Sequence, residues 1–418
     1  MTATGEQGSG ADPHTRVETR TSVPWREGPR AVALKRRVVT GLMGPWRLVP
    51  LLCALMAVWA FFTAENSLFL SSRNLTNLTN QIAVSTLLAL GLVFLMVVRQ
   101  LDISLAASSA VAGAIAASLN IESGWGVVPA IAAALAIAVG VAVVQSAIVT
   151  RFKAPAFIVT LGGMFILEAV LLWLLPSAQV IPLADTPLQD IAGTYLPAWL
   201  SYIFGGAAVI VFGGLRWTFH VARRREGMPS DLVRGTLLPT GVLAIVVLVI
   251  LVFVFNSYLG VPTPGVIVIA ATMILAYVGA QTPFGKHLYA VGGNPEAARR
   301  AGIRVGLVTT AAFALAGFLA GVAGIVNASR NLGVSAESSD LTLLLGALAA
   351  VVIGGVSLFG GRGNVWGAVV GGILIGSLQN GLGLMNTSTQ VQWTVEGIVL
   401  IVAVVIDSQL SSAVPNLE

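Results

Sequence analysis

Residues 281–305 read QTPFGKHLYAVGGNPEAARRAGIRV, a polar island in a chain that is otherwise almost wholly apolar. The island carries Lys286, Arg299, Arg300 and Arg304 against a single acid, Glu296. Within it, Pro295 to Ala301 has the make-up of a short helix, opened by proline and closed by Gly302. Outward from the island, the whole chain is 56% apolar and 10% charged, with mean hydropathy +0.88 over 418 residues. A water-soluble domain carries about 25% charged residues. This chain cannot cover a water-facing surface, and it reads as an all-α, polytopic transmembrane helix bundle. A folded basic loop between spans has two common reasons: docking a soluble partner, or setting topology.

A spanning helix needs about 20 mostly apolar residues. Twelve segments qualify: 46–64, 82–98, 101–120, 126–149, 156–175, 198–217, 237–256, 264–280, 306–327, 341–359, 365–385 and 391–407. Several are short or interrupted by glycine, so 10–12 full spans are expected, and the division between 82–98 and 101–120 is the weakest. Twelve spans with a cytoplasmic N-terminus put all but Arg73 and Arg330 of the 23 Lys and Arg on one side. That asymmetry is the positive-inside pattern, with both termini cytoplasmic. It also accounts for the pI near 9.8 without a nucleic-acid partner. Residues 1–45 are rich in Gly, Thr, Arg and Pro and read as a disordered basic cytoplasmic tail. The first apolar stretch starts near Trp46 at full spanning length, so it reads as a span and not a secretory leader. Residues 46–408 form the membrane domain, with 281–305 as an inner loop, and 409–418 a short cytoplasmic tail.

Glycine is abundant, 46 residues. In lipid, helices associate through close van der Waals contact, so small residues gather where they meet. The pairs Gly317/Gly321, Gly367/Gly371 and Gly372/Gly376 are such stripes, serving tight packing or a sliding or dimer surface. Acids in or near spans are Asp102, Glu168, Glu396 and Asp407. An acid at mid-bilayer costs about 2.5–3.5 kcal/mol on insertion scales, so it must face protein or water. Asp102 stands in Arg99-Gln100-Leu101-Asp102-Ile103-Ser104, where a span restarts. It either anchors that break by accepting backbone N–H bonds or lines a solute pathway. Asn74, Asn77, Asn80 and Gln81 cluster before the second span, as helix caps or as sugar-binding amides. Gln379 and Asn380 are further buried-amide candidates. Asn74, Asn77, Asp102 and Ser104 are the candidate pathway residues.

No catalytic apparatus is evident. Residues 279–287, GAQTPFGKH, resemble a phosphate-binding loop, but five residues separate the glycines where four are required. His287 also replaces the Ser or Thr that would hold magnesium. The stretch 354–363, GGVSLFGGRG, reads as tight-turn geometry. Cys53 is the lone cysteine, and His14, His220 and His287 lie outside the apolar segments. No nucleophile–base–acid set, metal-ligand spacing or cofactor motif emerges, and the chain is expected to be no enzyme.

Several stretches together carry a family likeness. They are 70–82, LSSRNLTNLTNQI, with Asp102-Ile103-Ser104-Leu105, and Thr282-Pro283-Phe284-Gly285-Lys286, followed by Tyr289 to Asn294, Glu296-Ala297-Ala298 and Ala301-Gly302-Ile303. Residues 352–361, VIGGVSLFGG, complete the set. In this order they resemble the permease subunits of ribose/xylose-type ABC importers, over about residues 45–408. The extra spans at 198–217 and 237–256 look most like the D-xylose permeases of that group. Gln100 and Ala106 depart from the Glu and Gly often found there.

The resemblance implies a type II ABC importer fold and a homodimeric or pseudo-symmetric pore for a pentose, D-xylose, in the bacterial plasma (inner) membrane. It implies a separate cytoplasmic ABC ATPase and an extracytoplasmic sugar-binding protein as partners. It also makes Gly292, Gly293, Asn294, Glu296, Ala297, Ala298, Gly302 and Ile303 the loop that docks on the ATPase. The competing reading is a proton- or sodium-coupled secondary sugar transporter, with Asp102, Glu168 or Glu396 titrating. A receptor or scaffold that transports nothing is a third.

Overall fold

The computed structural model describes residues 49–175, 180–227 and 230–412. The chain divides into two units, Met1–Trp46 and Arg47–Glu418. The first lies outside the described residues, as do the tail expected over 1–45 and residues 413–418 of the one expected at 409–418. The fold is that of the second unit.

Each of the twelve apolar segments forms a helix. In chain order these are α1 (Val49–Glu65), α2 (Ser72–Val97), α3 (Leu105–Ile121), α4 (Val127–Phe152) and α5 (Ala156–Leu174). After a short turn of helix, α6 (Asp190–Gly193), come α7 (Ala198–Arg225) and α8 (Leu238–Ile250), the latter flanked by π-helical turns Val233–Leu237 and Leu251–Phe255. Next is α9 (Thr263–Gln281). The polar island supplies α10 (Pro283–Gly293) and α11 (Pro295–Arg300). The chain closes with α12 (Val305–Arg330), α13 (Leu341–Ile353), α14 (Val365–Leu384) and α15 (Thr389–Ser412). Among the described residues nine helical segments are long and apolar enough to cross a membrane; α1 and α3 are shorter. At 1.5 Å per residue the 26-residue α2, α4 and α12 reach about 39 Å, more than the roughly 30 Å of bilayer hydrocarbon.

The middle of the bundle is α2 and α12. α12 packs on α2, α3 and α4, while α14 and α13 pack on each other and on α2. In α2 the run from Leu87 to Val97 is buried residue after residue. Small side chains make this approach possible. A Cβ on Gly317 would sit 2.6 Å from the Ala142 Cβ, and one on Gly321 2.8 Å from Leu135. One on Gly371 would overlap the Ala350 carbonyl, and one on Gly372 would sit 2.6 Å from Thr86 Oγ1. All three glycine stripes therefore face other helices of the same chain. Gly324, whose Cβ would overlap the Ser109 carbonyl, joins α12 to α3 in the same way.

Two small antiparallel ladders close one end of the bundle. β1 (Val180–Pro182) pairs with β4 (Gly333–Ser335), and β2 (Tyr195–Leu196) with β3 (Val261–Pro262). At this end Asn66 also donates to the Leu384 carbonyl, 3.2 Å, and Ser72 Oγ lies 3.0 Å from Ser257 Oγ. The opposite end gathers Arg99, the island and the 357–363 loop. Every contact joins loops that an alternating twelve-span topology places on the same side.

One boundary differs from expectation. α2 begins at Ser72, ten residues before the apolar run. Ser71 caps it by accepting from the Asn74 N–H, so the asparagines are interior helical residues and not caps. The amide of Asn74 donates instead to the Phe69 carbonyl and to Asn380 Oδ1, both at 2.8 Å. A polar turn is tolerated there because α14 supplies its partner.

Candidate functional site

The island is a pair of helices with defined ends. Thr282 caps α10 by accepting from the Gly285 N–H at 3.2 Å. Gly285 is needed at that corner, because a Cβ would overlap the carbonyls of Val278 and Gly279. Asn294 caps α11: its Oδ1 accepts from the N–H groups of Glu296 and Ala297, both at 3.0 Å. Pro295 stands at the first helical position, where no N–H is required. Glu296 near the N-terminus and Arg299 and Arg300 at the C-terminus complement the helix dipole. Gly302, at φ 84°, ends the helix in the left-handed conformation. The Gly302 N–H donates to Arg299 O and the Ile303 N–H to Ala298 O, the paired bonds of a Schellman cap. Ala298 is buried against the main core and Ile303 packs beside it. Glu296, Ala297, Arg299 and Arg300 are exposed, with Arg299 bonded to Glu296 at 2.9 Å. The result is a rigid knob with one face locked to the bundle and one face open.

The lock is made by residues far apart in sequence. Arg99 Nε donates to the Gly292 carbonyl at 2.7 Å and Arg99 Nη2 to the Gly293 carbonyl at 2.6 Å. The Gly361 N–H donates to the Val97 carbonyl at 2.9 Å, and Tyr289 Oη donates to the Gly363 carbonyl at 3.0 Å. Gly292 has no room for a side chain, since a Cβ would overlap the Val97 carbonyl and crowd the Gly361 nitrogen at 2.7 Å. Three stretches read separately from sequence, 99–104, 289–303 and 354–363, thus meet at one point, beside the end of α2.

From Arg99 the chain runs through the break between α2 and α3. Asp102 and Ser104 are both buried. Asp102 Oδ1 accepts from the Ser104 N–H at 2.8 Å and lies 2.6 Å from Ser104 Oγ, which is 3.0 Å from Gln145 Oε1 on α4. Thr160 on α5 accepts from the Ile103 N–H at 3.2 Å. The break is therefore pinned to α4 and α5 by side chains and to the island by Arg99.

The remaining candidates fall elsewhere. Asn74 joins Asn380 and, through it, Gln81 in an amide chain between α2 and α14, near the ladder end. Asn77 is exposed. Asn80 Oδ1 is buried without a partner among the described residues. Asn74 and Asp102 thus belong to separate clusters. Glu168 is half-buried, and Glu396 bonds with Gln379. Among the described residues no group of three His, Cys, Asp or Glu is placed to hold a metal.

A family model described as branched-chain amino acid transport system / permease component matches residues 74–404. The chain belongs to this family. The permease is 34% identical to the xylose transport system permease protein XylH of Escherichia coli K12 over 362 residues, 86% of this chain and 91% of that one. It is 34% identical to the Haemophilus influenzae protein of the same name, covering 95% of it. It is 29% identical to the ribose import permease protein RbsC of E. coli K12, covering 92% of it. No solved structure matches the permease. The matched region takes in the whole lock, from Arg99 to Gly363.

Arg99 is the residue that sequence reading passed over, counted only as a topology-setting charge. Its one local signal is a backbone at φ 61°, a conformation that glycine adopts more readily. The Arg99 and Gln100 N–H groups close a Schellman cap on Met96 and Leu95, where glycine is usual. An arginine accepts that conformation here because its side chain holds the island.

Proposed function

We propose that this permease is the pore subunit of an ATP-driven importer of a pentose, D-xylose, working as a dimer in the bacterial plasma membrane with both termini cytoplasmic. A cytoplasmic ABC ATPase and an extracytoplasmic sugar-binding protein complete the assembly. The substrate rests on the likeness to xylose and ribose permeases, and the sidedness on the concentration of Lys and Arg at the island end. The permease itself does no covalent chemistry.

The observation that carries the mechanism is the fork from Arg99 to Gly292 and Gly293. The open face of α11 offers an ATPase one acid and two arginines on a helix too well capped to bend. Displacement of that helix pulls on Gly292 and Gly293, then on Arg99, then on the Asp102–Ser104 break and the end of α2. The tight glycine contacts along α2, α12 and α14 turn the pull into a shift of whole helices, since close-packed interfaces do not deform continuously. Asn74, Asn77, Asp102 and Ser104 remain the proposed pathway residues. The pathway need only bind weakly, because the receptor supplies selectivity.

The test is D-xylose uptake in cells with ATP held constant and a protonophore added. This reading expects uptake to persist. Its collapse at normal ATP would instead favour ion coupling through an intramembrane acid.

A further inference from the structure

The helical hairpin of α7 and α8 is fastened to the body at the ladder end. There β2 pairs with β3, Ser72 Oγ donates to the Phe253 carbonyl at 3.0 Å, and Thr194 Oγ1 lies 2.9 Å from Thr263 Oγ1. Between the hairpin and α9 a cleft of about 400 Å³ runs from beside the ladders to the island end. Phe204, Ala208 and Phe212 line it from α7, Val247 from α8, and Met273 and Ala276 from α9. These walls offer no hydrogen bond, so a pentose placed there would leave its hydroxyls unsatisfied. A hydrocarbon chain would restore the dispersion contacts that an empty gap forfeits.

The island end of the cleft is different. Arg216, Gln281, Tyr277 and Trp366 meet there. Arg216 is half-buried, its Nε donating to the Gly235 carbonyl at 2.9 Å and its guanidinium 5.5 Å from the Phe212 ring. Its two terminal nitrogens make no hydrogen bond among the described residues. Two turns further along α7 stand Arg223, Arg224 and Arg225, all exposed, followed by Glu226. Cation with Trp and Tyr is the side-chain chemistry of the lipid headgroup layer. Cations at this depth favour anionic over zwitterionic lipid.

We propose that this cleft is a site for one anionic phospholipid, an acyl chain between the hairpin and α9 and the phosphate on the Arg216 guanidinium. The lipid seats the hairpin against the body over the length that protein contacts leave open. This assignment does not depend on the transport reading.

The test is native mass spectrometry of the full chain, released from nanodiscs holding equal phosphatidylglycerol and phosphatidylethanolamine with matched acyl chains. The wild type is expected to keep phosphatidylglycerol in preference. Arg216→Gln is expected to lower that preference about fivefold, the effect of one cation near the headgroup. Ala208→Trp, which fills the cleft, is expected to retain no lipid while eluting as a folded species. Equal retention of the two lipids by the wild type, no retention at all, or full retention by Ala208→Trp would each overturn the site.

Discussion

At the scale of single residues, Arg99 separates fold from coupling. Its left-handed backbone costs a non-glycine residue roughly 1 kcal/mol, while its two partly exposed bonds return a similar amount. Arg99→Gly is therefore expected to leave the melting temperature in detergent nearly unchanged. The same variant is expected to lower xylose uptake about tenfold, equal to 1.4 kcal/mol of coupling. Unchanged uptake at normal abundance would remove Arg99 from the route. Asp102 is a contrasting case. Asp102→Ala strips the Ser104 N–H of its buried acceptor, so a loss of about 1–3 kcal/mol in stability is expected, measurable by thermal unfolding. The sequence displayed Asp102 clearly, because an acid beside an apolar run is conspicuous. It hid Arg99, whose partners lie 193 and 194 positions away.

At the scale of elements, the glycine contacts decide which helices meet. Gly371→Ala places a methyl into the Ala350 carbonyl, and about 1–3 kcal/mol of destabilisation is expected. Gly140→Ala on α4 meets nothing within 4 Å and is expected to be neutral or slightly stabilising, by helix propensity. Parallel melting curves of the two variants check the assignment. Glu296→Arg changes a well-capped helix by only about 0.3–1 kcal/mol through its dipole. Normal membrane insertion with lost pull-down of the ATPase is the expected outcome, and retained pull-down would count against α11 as the docking element. The twelve apolar helices were legible because membrane length and hydropathy constrain them together. The start of α2 was not, because its Asn74 is satisfied by Asn380 from a helix some 300 residues on. α10 was hidden as well: Gly285, Gly292 and Gly293 read as loop, yet Gly285 and Gly292 are where backbones touch.

At the scale of the molecule, the island stands at one end of the bundle and the two ladders at the other, so the two ends must face opposite sides of the membrane. Cysteine scanning in a Cys53→Ala background checks this. A cysteine at Arg299 or His287 is expected to react with an impermeant reagent only in inverted vesicles, and one at Glu122 or Glu337 only in intact spheroplasts. The charge pattern already carried this expectation, because among the described residues every Lys and Arg but Arg73 and Arg330 lies at helix ends or in loops on the island's side of the alternating topology. The most direct measurement is D-xylose accumulation in proteoliposomes containing ATP. Permease with its ATPase and sugar receptor is expected to concentrate xylose, and permease alone to concentrate none, whatever the ion gradient. Accumulation by the permease alone, driven by a proton or sodium gradient, would contradict the account.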